Sequence, residues 1–275
     1  MAEIRIATEA DLAGIERLLK SEWLSRYVDD DLPTLVGDNS ASFIAVDEGN
    51  IVGHGNIISV RPDRSHLRYT IVDSDYSSHG IGNELVKRRI DWLGDDYKGM
   101  TVGDARTDRT GIHKLLIRHG FWPVRLNLSG EERYDGKKHA SLGFMRVSGY
   151  EGAKLLPVYL PNGYKDIVTE VMGPALGDLR INKSESIEDV DKAIWRGDQV
   201  AAVRLFHDNA PVALNKLLRD GYYISGFSPY LSDEGVGIFA NMMKHPEHDV
   251  DFGKIHVISD AQRLKEFVQR QYEQR

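Results

Sequence analysis

Apolar and polar positions along this chain fall into short stretches of two alternating kinds. The run Leu67-Arg68-Tyr69-Thr70-Ile71-Val72 is built of strand formers, whereas after Gly82 the apolar positions Leu85, Val86, Ile90 and Trp92-Leu93 keep roughly helical spacing. Ile4-Arg5-Ile6 reads as a strand entering a helix at Thr8, an N-cap residue with Asp11 three positions on. Residues 43–55 read as a hairpin, two apolar runs around a Gly49-Asn50 turn. A helix is predicted over residues 112–119, with Gly120 as its stop before Phe121. Beyond residue 150 the alternation continues. Ile167, Val168, Val171 and Met172 mark a helix within residues 164–176, and residues 199–206 are strand-like. Pro157, Pro161, Asn162 and Gly163 punctuate the passage, so the chain divides near residue 150 into a first domain, 1–150, and a second α/β lobe, 151–275.

The junction at residues 76–86, Tyr-Ser-Ser-His-Gly-Ile-Gly-Asn-Glu-Leu-Val, carries the chemistry. A strand feeds a glycine-spaced turn that opens an amphipathic helix. There unpaired N–H groups and the positive end of the helix dipole favour an anion, and Gly80 and Gly82 remove side chains from its approach. The order Val72-x-x-x-Tyr76-x-x-x-Gly80-Ile81-Gly82-x-x-Leu85 resembles the acyl-coenzyme A loop of the GNAT family of N-acetyltransferases, and the flanking segments follow the same order over residues 1 to about 130. The resemblance implies a mixed α/β (α+β) GNAT fold, a central twisted mixed sheet flanked by helices, with the second, smaller α/β lobe appended. It further implies that acetyl-coenzyme A, the acyl donor, is held by Ile71, Val72, Ser77, Ser78, His79, Gly80, Ile81 and Gly82, the loop amides taking the pyrophosphate. Main-chain N–H groups around Ile71 and Val72 would hold the oxyanion.

Two positions depart from the family pattern. Ser77 stands where Arg or Gln is common, and Leu116 stands where a tyrosine often serves as acid toward the leaving thiolate. A positioned acid is worth about 100- to 10,000-fold, but a thiol of pKa about 8.5 is a fair leaving group without one. Tyr76 and His113 are candidate acids, with His79 and His119 behind them. His66, six residues before Val72, is the candidate base, since imidazole titrates near neutrality.

Composition narrows the remaining choices. The 275 residues contain no cysteine, which excludes disulfides, thiol nucleophiles and cysteine metal sites. No apolar run reaches membrane-spanning length and the first residues lack a secretory pattern, so the expectation is a cytoplasmic protein without a membrane partner. With 42 acidic and 35 basic residues and a net charge of -7, no overall basic field would draw nucleic acid. The balance mildly favours a cationic acceptor, and Asp29-Asp30-Asp31 beside Trp23 and Tyr27 could receive an amine. The reading is an acetyl-coenzyme A-dependent N-acyltransferase acting on a small-molecule amine, as a monomer or homodimer. Its alternative is a catalytically silent acyl-coenzyme A-binding module. His245, His248, Asp249 and Asp251 are too irregularly spaced for a metal site, and none is assigned.

One internal echo stands out. Lys114-Leu115-Leu116-Ile117-Arg118-His119-Gly120-Phe121 matches Lys216-Leu217-Leu218-Arg219-Asp220-Gly221-Tyr222 with one residue deleted, which suggests a degenerate second copy of the half-fold. In that case Tyr222, Tyr223, Phe227 and Tyr230 become candidates for shaping the acceptor cleft.

Overall fold

The structure is a computed structural model that describes residues 2–21, 25–128, 139–150, 153–182, 190–197, 199–232, 234–246 and 249–274. The first half runs β1 (Glu3–Ile6), α1 (Leu12–Lys20), α2 (Ser25–Asp31), β2 (Ser40–Asp47), β3 (Asn50–Arg61), β4 (Arg64–Val72), α3 (Ile81–Trp92), β5 (Gly99–Arg106), α4 (Thr110–Arg118), β6 (Trp122–Asn127) and β7 (Ser141–Ser148). The second half continues with β8 (Val158–Tyr159), α5 (Lys165–Leu176), β9 (Ile181–Asn182), β10 (Ile194–Arg196), β11 (Val200–Arg204), α6 (Ala210–Arg219), β12 (Tyr222–Ser232), β13 (Gly235–Lys244) and α7 (Gln262–Glu273). Eleven strands form one mixed α/β sheet in the order β1-β2-β3-β4-β5-β7-β6-β12-β13-β11-β10, and β8 pairs with β9 apart from it. No described helix is long and apolar enough to cross a membrane.

Local chemistry explains the elements. The Thr8 N–H donates to the Asp11 carboxylate at 2.8 Å, closing the predicted helix entry, although the first turn is 3-10 and α1 proper begins at Leu12. The hairpin forms one residue earlier than expected. Glu48 (φ 49°) and Gly49 (φ 79°) take the two left-handed positions, and Asn50 opens β3 opposite Asp47. Helix α3 buries Ile81, Leu85 and Val86 as its spacing requires, and it also buries Arg89.

The connectivity β5-α4-β6-β7 recurs as β11-α6-β12-β13. In both, the last strand lies antiparallel between the other two. Both helices end at a glycine of positive φ, Gly120 at 79° and Gly221 at 83°. Both following strands bulge at the same place, between Pro123 and Arg125 and between Ile224 and Gly226. The halves join where β6 meets β12 antiparallel, with Arg125 opposite Gly226. Each of these two is the fifth residue past its helix-ending glycine, so the seam pairs equivalent positions, as a two-fold contact between identical subunits would. A Cβ on Gly226 would lie 2.0 Å from the Val124 carbonyl oxygen and 2.5 Å from the Arg125 Cα, so that close approach requires glycine.

Candidate active site

Strand β4 pairs in parallel with β5 only from Arg64 opposite Met100 to Leu67 opposite Gly103. Past that point β4 stays with β3 and β5 stays with β7, so the two strands diverge and open a cleft. Its cavity has a volume of about 610 Å³, and His66, Arg68 and Tyr69 of β4, Asp104 and Arg106 of β5 and Arg125 of β6 are among its lining residues.

A bulge shapes the β4 wall. Asn56 pairs with Arg68 and His54 with Ile71, so Tyr69 and Thr70 together face Gly55, and Tyr69 adopts φ 53°. The buried Arg89 guanidinium holds this bulge from behind. It donates to the carbonyls of Leu85 (2.9 Å), Asn56 (3.2 Å) and Arg68 (3.3 Å) and to the Thr70 hydroxyl (2.8 Å). Burial pushes its pKa down to about 9, which leaves it charged at neutral pH. Beyond the bulge, the Asp73 N–H donates to the Val52 carbonyl at 2.9 Å, on the β3 side. Strand alternation then turns the Ile71 N–H to β3 as well and the Val72 N–H toward the cleft. Of the two expected oxyanion donors, Val72 has the suitable direction and Ile71 does not.

The glycine turn lies at the cleft's end. Ser78 (φ 68°) and Gly80 (φ 80°) curl the chain so that Gly80 caps α3, and the main-chain N–H groups from Ser78 through Gly82 have no main-chain acceptor among the described residues. A Cβ on Gly80 would meet nothing within 4 Å, while one on Gly82 would touch Leu115 at 3.6 Å and Val72 at 3.7 Å. The N-terminus of α3 is therefore open outward and adjoins the last residue of β4. That is a fitting cradle for a pyrophosphate. Ser77, Ser78, His79, Gly80, Ile81 and Gly82 line this cradle's chain but not the cavity, whereas Ile71 and Val72 line the cavity.

Among the candidate catalytic residues, the structure brings only His66 into the cavity. Its Nε2 lies 3.8 Å from Asp104 Oδ2, and Arg125 Nη2 donates to both oxygens of the same carboxylate, at 3.0 and 2.9 Å. Burial lowers the His66 pKa, and Arg68, Arg125 and Arg64 lower it further, against the opposing pull of Asp104. Tyr76 points elsewhere and donates its hydroxyl to Asp47 Oδ2 at 3.0 Å, which ties the loop to β2. His113 faces neither solvent nor cleft. It is fully buried, with Nε2 2.8 Å from the Arg106 carbonyl and its ring tilted against Phe144 at 5.4 Å. His119 sits on the surface beside Asn83, and Leu116 lines the cavity where a tyrosine could have stood.

Several expectations about the acceptor side are corrected. Asp29 pairs with Lys20 at 2.9 Å. Asp31 reaches the cavity already engaged by the Tyr69 hydroxyl and, at 3.4 Å, by Arg68. Trp23, the Tyr27 side chain and His248 lie outside the described residues. Tyr222, Tyr223 and Phe227 are buried in the core and Tyr230 stacks on Phe206 at 5.3 Å; none of the four lines the cavity. Sequence reading missed Tyr69, Asp104, Arg106, Arg125 and His139, all cavity residues that lack any local motif.

The site thus combines a splayed parallel strand pair, a bulged β4 wall with the Val72 N–H turned into the gap, and a glycine-capped helix beside it. Residues 10–121 match the model of the acetyltransferase (GNAT) family, and this chain carries a GNAT acetyltransferase domain. The family transfers acyl groups from acetyl-coenzyme A to amines. No curated protein matches the chain. Among solved structures, a ribosomal-protein-alanine N-acetyltransferase from Brucella melitensis is 20% identical, covering 53% of this chain and 99% of its own, with a TM-score of 0.45. An acetyltransferase of the GNAT family from Streptococcus pneumoniae is 19% identical over 54% of this chain and 99% of its own, with a TM-score of 0.44. A phosphinothricin acetyltransferase from Sinorhizobium meliloti, solved with AcCoA, is 15% identical over 54% of this chain and 89% of its own, with a TM-score of 0.45.

Proposed function

We propose that the protein is an acetyl-coenzyme A-dependent N-acetyltransferase whose acceptor is a small-molecule amine. The observation that carries this reading is the splay of β4 from β5, with the Val72 N–H turned into it and the open N-terminus of α3 at its end. The amides from Ser78 to Gly82 hold the donor's pyrophosphate, and the thioester lies in the gap with its oxygen toward the Val72 N–H. His66, kept neutral by its surroundings, takes a proton from the acceptor nitrogen as that nitrogen bonds to the acyl carbon, and Asp104 steadies the resulting imidazolium. The carbon–sulfur bond breaks, and the thiolate leaves and is protonated by solvent, which accommodates leucine at position 116.

The test is coenzyme A release by the purified protein over a panel of amines, beside calorimetric titration with acetyl-coenzyme A. Turnover that is lost together with binding in Gly80→Asp and Gly82→Asp supports the reading. Leu116 and the engaged Tyr76 favour the alternative of a silent coenzyme-binding module. Tight binding without turnover on any amine would establish that alternative.

A further inference from the structure

The cavity's charge runs against that of the whole chain. Four arginines, Arg68, Arg106, Arg109 and Arg125, and two aspartates, Asp31 and Asp104, line it, in a protein of net charge -7. A simple cationic amine gains nothing from such walls. Arg68 is committed to Asp31, Asn56 and Thr34, and Arg106 is forked on Asp108. Arg125 differs. It contacts Asp104 through Nη2 alone and uses neither Nε nor Nη1 on another described group.

The placement of Arg125 is built from three sides. Its main chain is pinned at the seam by Gly226, where any side chain would strike Val124 and Arg125. Its stem lies across Gly143, where a Cβ would come within 2.5 Å of Arg125 Cγ and 2.6 Å of Nε. Its tip meets Asp104, the same carboxylate that faces His66. The Leu128 N–H, which donates to the Tyr223 hydroxyl at 3.2 Å, fastens the seam a second time.

Resting on the acetyltransferase reading, we propose that the acceptor is an α-amino acid, and that the Arg125–Asp104 pair reads its carboxylate and its amine while the C-terminal half holds Arg125 in register. A zwitterion can enter an arginine–aspartate pair by exchange, its carboxylate forking on the guanidinium and its ammonium on the aspartate, so that no charge is left without a partner. An ammonium held by Asp104 is then beside His66, the group that must deprotonate it before attack. The second lobe acts through Arg125, without lining the cleft itself.

The experiment compares kcat/KM for the twenty L-amino acids and for their carboxamides, with calorimetric titration of both sets into the coenzyme A-loaded protein. At least one amino acid is expected to exceed its amide by about 10- to 100-fold, the range of a charge-assisted contact. Arg125→Ala should bring that ratio to about one, chiefly through KM, and Arg125→Lys should restore part of it. Gly226→Ala should lower the ratio by displacing Arg125, although every cavity residue keeps its identity. Coenzyme A affinity should be unchanged in Arg125→Ala, since the donor's pyrophosphate is assigned to the α3 cradle and Arg125 spends its guanidinium on Asp104. Amides or peptides used as well as the free acids would overturn the proposal, as would an acid-to-amide ratio indifferent to Arg125, or amino acids that neither bind nor react. Failure to bind acetyl-coenzyme A at all would instead overturn the acetyltransferase reading.

Discussion

Arg89 and Gly55 make a coupled pair whose energetics can be measured directly. The three atoms nearest to a Cβ built on Gly55 all belong to the Arg89 guanidinium, Cζ at 2.8 Å, Nε at 2.9 Å and Nη1 at 3.2 Å. The guanidinium cannot yield easily, because it is fully buried and hydrogen-bonded on several sides. Gly55→Ala should therefore cost about 1–3 kcal/mol, the usual price of overpacking. Arg89→Met alone has two opposed effects. The carbonyls of Asn56 and Arg68 lose a donor at about 1–3 kcal/mol each, and a charge whose pKa burial depresses to about 9 is no longer carried into the core. These nearly offset, so the single change should shift stability by less than about 3 kcal/mol in either direction. In the Arg89→Met background the obstruction is gone and Gly55→Ala should cost close to nothing, giving a coupling of at least about 1 kcal/mol. Urea unfolding of the four proteins measures it. Additive costs, with Gly55→Ala equally harmful in both backgrounds, would refute the claim that the arginine is packed beneath the bulge as described.

Other outcomes follow from the same structure. The acid limb of kcat/KM should lie below pH about 6.5, the ordinary histidine value, because burial lowers the His66 pKa and the neutral ring is the base; His66→Gln should remove that limb, measured by pH–rate profiles. His54, fully buried with its pKa lowered to about 3 by burial and by Arg89, stays neutral in the fold but takes up a proton when unfolded below about 6.5. Stability should accordingly fall by about 2 kcal/mol between pH 7 and pH 5 through this group, a loss absent from His54→Asn in unfolding curves. Tyr76→Phe removes the hydrogen bond to Asp47 and should leave kcat, measured by coenzyme A release, within a few-fold of the parent; a hundredfold drop would make Tyr76 the acid after all. His113→Ala should lower the unfolding midpoint while leaving kcat per folded molecule nearly unchanged, checked by active-site titration beside thermal melts.

The parts of this protein that were legible in its sequence are those specified by neighbours along the chain. Thr8 and Asp11, the strand before Val72, the glycine turn and the stop at Gly120 each announce themselves through local backbone requirements. What was illegible depends on residues distant in sequence. Arg89 occupies a core-facing position of α3, but a charge there reads as solvent-exposed until the bulge carbonyls that it satisfies are known. His113 reads as a candidate acid until the Arg106 carbonyl that holds its buried ring is known. Tyr69 carries no sign of a left-handed backbone, because that conformation is imposed by the mismatch between β3 and β4. Asp104 and Arg125 belong to no motif, and only the antiparallel course of β5, β7 and β6 brings them together beneath His66.

The matched seam also bears on how two copies of the first half would meet. Cut off after β7, the first half would present β6 as a bare strand edge, the sort of surface that invites pairing with a duplicate. Such pairing, in the register of the native seam, would set arginine against arginine, two like charges whose side chains each strike an opposing carbonyl. The covalently linked lobe offers a glycine there instead. A single missing side chain thus lets the edge close upon its tethered counterpart and discourages the same embrace between strangers.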